Sequence, residues 1–184
     1  MADVNEEIVA QYLKLVRGWF YVPDISFAVP YNYSNVDLLA FDPNSDRYYD
    51  IEVKYRSKYT IAATDRKGND KSAKSVAWLV EEFTAHRKER ERAIERYTHK
   101  HKSTKVLVTT KQMMGKTPAK RERLESAFLL GLAKVGFNDA EVWYFDDMIP
   151  KIVECVGEAG RYDTELLQTI RMLKVFGMKS ENPL

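Results

Sequence analysis

The chain has 184 residues, 45% of them hydrophobic and 30% charged, which is the balance of a folded globular protein and excludes a disordered or fibrous one. Its single cysteine excludes an internal disulfide or a cysteine-built zinc cluster. No run approaches the ~20 apolar residues of a membrane span, and the acidic opening has no basic, then apolar, leader pattern, so a cytoplasmic setting without membrane association is expected.

Val4, Ile8, Val9, Tyr12, Leu15, Val16 and Trp19 recur at three- and four-residue steps, predicting an amphipathic helix capped by Asp3 and ending near Gly18. Residues 20–29, "FYVPDISFAV", read as an edge or interrupted strand, because Pro23 cannot donate to a ladder. "NVDLLAFD" and "RYYDIEVKYR" read as two further strands around the turn "PNSD" at 43–46, completing a three-stranded meander. Residues 57–70 read as a loop, and Ser72 to about Thr98 as one long helix.

The second half of that helix, "HRKERERAIERYTHKHK", interleaves acids and bases like a solvated, salt-bridged face, and only its acid-free end suits phosphate contact. "TKVLVTT" is a buried strand, "TPAKRERLESAFLLGLAKVGF" a helix that Pro118 starts and Gly136 ends, and "AEVWYF" a further strand. Two helices follow, near 148–157 and 163–176, with Cys155 expected in the core and the tail "KSENPL" frayed.

The order α-β-β-β-α-β-α-β-α-α predicts an α/β fold, a mixed β-sheet flanked by helices on both faces. Residues 1–146 are expected to form this domain and residues 147–184 a helical extension packed on it.

Charges interrupt the meander. Alternation places Glu52 and Lys54 on one side of their strand and Ile51, Val53 and Tyr55 on the other. A hairpin centred near residues 44–45 pairs positions whose numbers sum to ~89, which brings Asp37 opposite Glu52. Charged side chains are seldom buried unless paired or bound to metal. Two adjacent carboxylates repel, and Mg²⁺, which takes a few carboxylate oxygens together with water and phosphate oxygens, relieves the repulsion. Such an ion serves phosphodiester hydrolysis, and Lys54 suits the placing of a water and the offsetting of developing negative charge. Downstream, Lys111, Lys116, Lys120 and Arg121 form a basic stretch expected to contact nucleic-acid phosphates.

Asp37 followed by Glu52-Val53-Lys54 at the end of the next strand resembles the motif of the PD-(D/E)xK nucleases, whose fold is restriction-endonuclease-like. The opening "EEIVAQYLKLVRGWF" resembles in particular the start of archaeal Holliday junction resolvases, so that the likeness covers residues 4–56, with Val36 where the motif's proline would stand. The resemblance implies an endonuclease that hydrolyses DNA, duplex or branched, with Mg²⁺, for which Mn²⁺ substitutes. Asp37, Glu52 and the carbonyl of Val53 would bind the metal, and Lys54 would orient the attacking water. Counting back from Gly18-Trp19 selects Glu7 as the helix acid, with Glu6 the alternative and Gln11, one turn on, supporting Glu7. Two-fold DNA targets would be met by a homodimer. The rival expectations are a nucleic-acid-binding or partner-binding module of the same fold that does not cleave, and a ribonuclease.

Overall fold

The computed structural model of the chain describes residues 3–55, 72–99 and 102–177. The loop expected at 57–70, Lys100 and His101 of the basic run, and the tail "KSENPL" lie outside the described residues.

The opening helix, α1 (Val4–Gln11), is capped by Asp3, whose Oδ1 accepts the Asn5 amide at 2.9 Å. Its path continues through a widened, π-type turn at Tyr12–Arg17 until Gly18 takes a left-handed conformation at φ 68°. The Trp19 amide closes this end on the Leu13 carbonyl at 2.9 Å. Gly18 suits the position because a Cβ disfavours positive φ.

Five strands follow in the spatial order β1 (Phe20–Val29), β2 (Asn32–Asp42), β3 (Arg47–Val53), β4 (Ser103–Thr109) and β5 (Ala140–Tyr144). The first three form the expected antiparallel meander, whereas β3, β4 and β5 run parallel, so β3 has neighbours of both kinds. β1 is an edge strand, which accommodates Pro23. The β2–β3 turn is tied at its base by Asp42, which accepts the Asn44 amide at 2.9 Å and the Ser45 hydroxyl at 2.6 Å. That turn sets the register, with Asp42 opposite Arg47 and Leu38 opposite Ile51.

Between β3 and β4 the single helix expected over 72–98 is two, α2 (Ser72–Thr84) and α3 (Arg87–Thr98), separated at His86 by a left-handed conformation, φ 56°. Nor is α3 a solvated face throughout: Arg90, Ala93, Ile94 and Thr98 are buried. Spacings of three and four residues put small and apolar side chains of this charged segment under the sheet, and Arg90 enters with them.

A short helix, α4 (Lys111–Met114), precedes α5 (Pro118–Lys134), which has Thr117 as its N-cap and Pro118 in its first turn. Gly136, at φ 93°, ends α5 as its position predicts, and the Phe137 amide returns to the Leu132 carbonyl at 3.0 Å. The chain then forms α6 (Phe145–Cys155) and α7 (Glu165–Met172). Cys155, expected in the core, is exposed, because Ile152 and Val156 take the buried face of this segment.

Helices cover both faces of the sheet. On one, Val9 and Leu13 join Met148 and Ile152 of α6 and Leu167 of α7 over Leu38, Ala40, Ile51, Val106 and Val108. Helix α6 begins before residue 147, and the closing helices share one buried cluster with α1 and the sheet. On the other face Leu79 and Phe83 of α2, Met113 and Met114 of α4, and Leu124, Phe128 and Leu132 of α5 enclose Leu107. Ala93 and Ile94 of α3 cover Ile25, Phe27, Val36 and Leu39.

Candidate active site

The parallel strands β3 and β4 end side by side, Val53 beside Val108, and the Lys54 amide extends the ladder to the Val108 carbonyl at 2.9 Å. Open α/β sheets bind ligands beyond the carboxyl ends of such strands. Here a small cavity of about 70 Å³ is lined by Glu6 at the start of α1, by Val53, Lys54 and Tyr55 at the end of β3, and by Trp78 and Met113.

The β2–β3 ladder ends at Leu38 opposite Ile51, and the next residue of each strand is an acid, Asp37 on β2 and Glu52 on β3. Both are buried, with 8% and 4% of their surface exposed. The Val53 amide donates to Asp37 Oδ2 at 2.7 Å, binding one acid to the backbone next to the other. Burial, and then the charge of Glu52, push the Asp37 carboxyl up to about 7, against the opposing pull of the Val53 amide and Lys54.

Lys54 reaches Glu52 Oε1 at 2.6 Å and Glu82 Oε2 of α2 at 3.0 Å. Burial alone would depress its ammonium, but Glu52 and Glu82 hold it up at about 12, so Lys54 is a cation throughout the physiological range. Glu52 has a second partner: Arg90 Nη2 of α3 meets Oε2 at 3.0 Å. Arg90 also grips Asp50, through Nε at 3.0 Å and Nη2 at 2.5 Å, and Lys105 of β4 meets Asp50 at 2.7 Å. Burial would raise the Asp50 carboxyl, yet Arg90 and then Lys105 hold it well below the usual range.

The helix acid that faces this cluster is Glu6, not Glu7. Glu6 lines the cavity with Val53 and Lys54, and its carboxyl is raised by burial, then by Asp3, Asp24 and Glu52. Glu7 instead accepts the Gln11 amide at 2.7 Å and lies near Tyr21. The widened turn at Tyr12–Arg17 explains the difference: it holds one residue more than a 3.6-residue repeat, so the face upstream turns by about 100° relative to a count back from Gly18. Gln11 does support Glu7, and its own carbonyl oxygen is buried without a hydrogen-bond partner among the described residues.

The expected phosphate-contacting residues separate. Lys111 is engaged by α6, its amide donating to Asp146 at 2.8 Å and its ammonium paired with Asp147. Lys116 and Lys120 are exposed and have no ion pair among the described residues, while Arg121 is half-buried beside Tyr144.

Among the described residues no group of three or more His, Cys, Asp and Glu side chains is gathered closely enough to hold a metal ion unaided. The donor chemistry at Asp37 and Glu52 nevertheless fits a hard divalent cation: two carboxylates, one of them held protonated into the neutral range by its burial and by the charge of the other. The rest of the coordination sphere would come from backbone, water and substrate oxygens, as Mg²⁺ favours.

Asp50, Glu82, Arg90 and Lys105 were not among the expected participants. One signal for them was present: Asp50 lies two residues before Glu52 and shares its side of the strand, so two buried acids needed more positive charge than Lys54 supplies.

No protein-family model matches the chain, and no curated protein matches it. Among solved structures it is similar to a crystal structure of a protein of unknown function, AF1548, at 14% sequence identity and a TM-score of 0.43, over 94% of this chain and 78% of that one.

Proposed function

We propose that the chain is a divalent-metal-dependent phosphodiester hydrolase of restriction-endonuclease-like fold that cuts DNA. The observation that carries this reading is that two buried acids and a lysine meet where β2 and β3 part, the Val53 amide bonded to Asp37 and the Lys54 ammonium to Glu52.

Asp37 and Glu52 would hold Mg²⁺ or Mn²⁺, with the Val53 carbonyl as a third oxygen and Glu6 beyond it. When bound, the cation supplies Lewis acidity at the phosphoryl oxygen and lowers the pKa of a water. Lys54, fixed between Glu52 and Glu82, presents a permanent positive charge to the cavity and there orients a water and offsets charge accumulating on the phosphorus oxygens. Glu6, raised toward protonation by burial and then by its acidic neighbours, would exchange a proton with a water in the cavity. Lys116 on the loop before α5 and Lys120 in the first turn of α5 would track the DNA backbone.

The test is cleavage by the purified chain of supercoiled, linear, branched and single-stranded DNA, with an RNA duplex alongside, in Mg²⁺, Mn²⁺ and chelator. Metal-dependent strand scission that Asp37→Ala and Lys54→Ala both abolish supports the proposal. Scission indifferent to those substitutions, or salt-sensitive DNA binding with no scission in either metal, refutes it.

A further inference from the structure

We propose that Arg90 is a positioning residue of this site: its guanidinium, anchored on Asp50, fixes the orientation in which Glu52 presents its carboxylate to the reaction. The inference rests on the phosphodiesterase reading and adds to it a residue from α3, a helix outside the strand pair that carries the two acids.

The geometry is that of a chain of alternating charges. Lys105 Nζ meets Asp50 Oδ2 at 2.7 Å, Arg90 meets both Asp50 oxygens, Arg90 Nη2 continues to Glu52 Oε2 at 3.0 Å, and Lys54 takes Glu52 Oε1 at 2.6 Å before reaching Glu82. Glu52's two oxygens therefore have different partners, one on each side, and rotation of its carboxylate would break one bond or the other. A lone Lys54 would leave that rotation open, since an ammonium is a point charge that either oxygen satisfies equally.

Arg90 is itself immobilised. Its Nε and Nη2 form a fork with Asp50, Nη1 donates to the Glu82 carbonyl at 3.3 Å, and the guanidinium lies 5.4 Å from the centre of the Phe83 ring. Only 3% of Arg90 is exposed, so these bonds do not compete with bulk water. The far end of the chain, Lys105 on β4, is buried as well and also contacts Ser103 at 3.2 Å. A carboxylate that ligates a cation works best when its own orientation is held by such outer bonds, and loss of one costs on the order of 10–100-fold in metal affinity or activity. Arginine is required because its planar fork spans two acids with fixed angles, which lysine does not reproduce.

Two variants separate positioning from folding. Arg90→Lys retains a cation against Asp50 but loses the fork, and the paired change Asp50→Asn with Arg90→Gln removes one buried charge of each sign, keeping the net charge while leaving Lys105 an acceptor. Circular dichroism and thermal unfolding establish that the variants fold. DNA cleavage is then resolved into kcat and KM, and Mn²⁺ binding without DNA is measured by calorimetry. The expected result is a fall in kcat of about 10–100-fold with KM for DNA within about 3-fold, and Mn²⁺ affinity reduced in the same variants. Folded variants with wild-type kcat and Mn²⁺ affinity overturn the role of Arg90 while leaving the nuclease reading standing. Failure of both variants to fold assigns Arg90 to the core and likewise overturns it. A wild-type chain that cuts no DNA in Mg²⁺ or Mn²⁺ overturns the nuclease reading, and this inference with it.

Discussion

The Val53 amide donates to Asp37 Oδ2 at 2.7 Å, so Asp37 of β2 is bonded to the last residue of β3, the one that separates Glu52 from Lys54. A side chain has taken the place of a ladder partner where β2 and β3 part. The carboxylate is thereby held beside Glu52 in spite of their like charge.

That arrangement makes the stability of the metal-free chain depend on pH. The folded Asp37 carboxyl titrates at about 7, above its ordinary value of 3.8, so the folded state retains a proton that the unfolded chain has released. Stability from this group is therefore full below about pH 4 and is lost as pH rises toward 7, by up to about 4 kcal/mol. Asp37→Asn keeps an acceptor for the Val53 amide without the charge. Thermal unfolding at pH 5 and pH 8 should find the variant melting higher than wild type at pH 8 and the difference shrinking at pH 5, with cleavage abolished at both.

Mg²⁺ should act in the opposite direction. A cation binding the ionised pair raises the melting temperature more at pH 8, where no proton has to be displaced from Asp37, than at pH 5. Differential scanning fluorimetry with and without 10-fold molar excesses of Mg²⁺, up to saturation, reads this directly, and in Asp37→Asn the stabilisation should largely vanish.

The two acids of α1 are predicted to behave differently. Glu6→Gln should lower kcat by roughly 10-fold or more, because the lost group lines the cavity. Glu7→Gln should leave cleavage within about 2-fold, since its partner is Gln11 and an amide at position 7 still accepts that bond. Equal effects of the two substitutions in steady-state assays would contradict the geometry.

Lys54→Met should reduce kcat by on the order of 10²–10³-fold, the usual cost of a lost preorganised charge at a reacting oxygen. Glu82→Gln leaves Lys54 its stronger contact with Glu52 and should cost far less. Single-turnover cleavage rates distinguish the two.

Among the basic residues, Lys116→Ala and Lys120→Ala should each weaken DNA binding and lower the slope of log affinity against log salt by about 0.9 where the residue meets one phosphate of duplex DNA. Lys111→Ala should leave that slope unchanged, because Asp147 already pairs with the Lys111 ammonium. Fluorescence anisotropy over a salt series in the absence of divalent metal measures the slopes.

The α/β class, the meander, the edge position of β1 and the β2–β3 register from Asp42–Arg47 to Leu38–Ile51 were all legible in the sequence, because each depends on local chemistry: Pro23, the turn residues at 43–46, and the two-residue alternation that follows. The choice between Glu6 and Glu7 was not. A fixed spacing from Gly18 assumes a regular helix, and nothing in "YLKLVR" announces a widened turn. Arg90 was hidden for a different reason. In "RKERERAIER" a buried arginine and its solvated neighbours have the same composition, and only the strand beneath decides which one turns inward. The break at His86 was also hard to read, since no glycine, asparagine or proline marks it and the charged pattern runs on past it.

That break governs the mechanics of the cluster. In one straight helix Glu82 and Arg90 would be separated by about 12 Å along the axis, too far apart to close together on the end of a single strand. With the corner at His86 the two become opposing jaws, Glu82 on Lys54 and Arg90 on Glu52, and the Arg90–Glu82 carbonyl bond is the latch between them. The rod has become a clamp, and its grip depends on one non-glycine residue keeping a conformation that most side chains avoid.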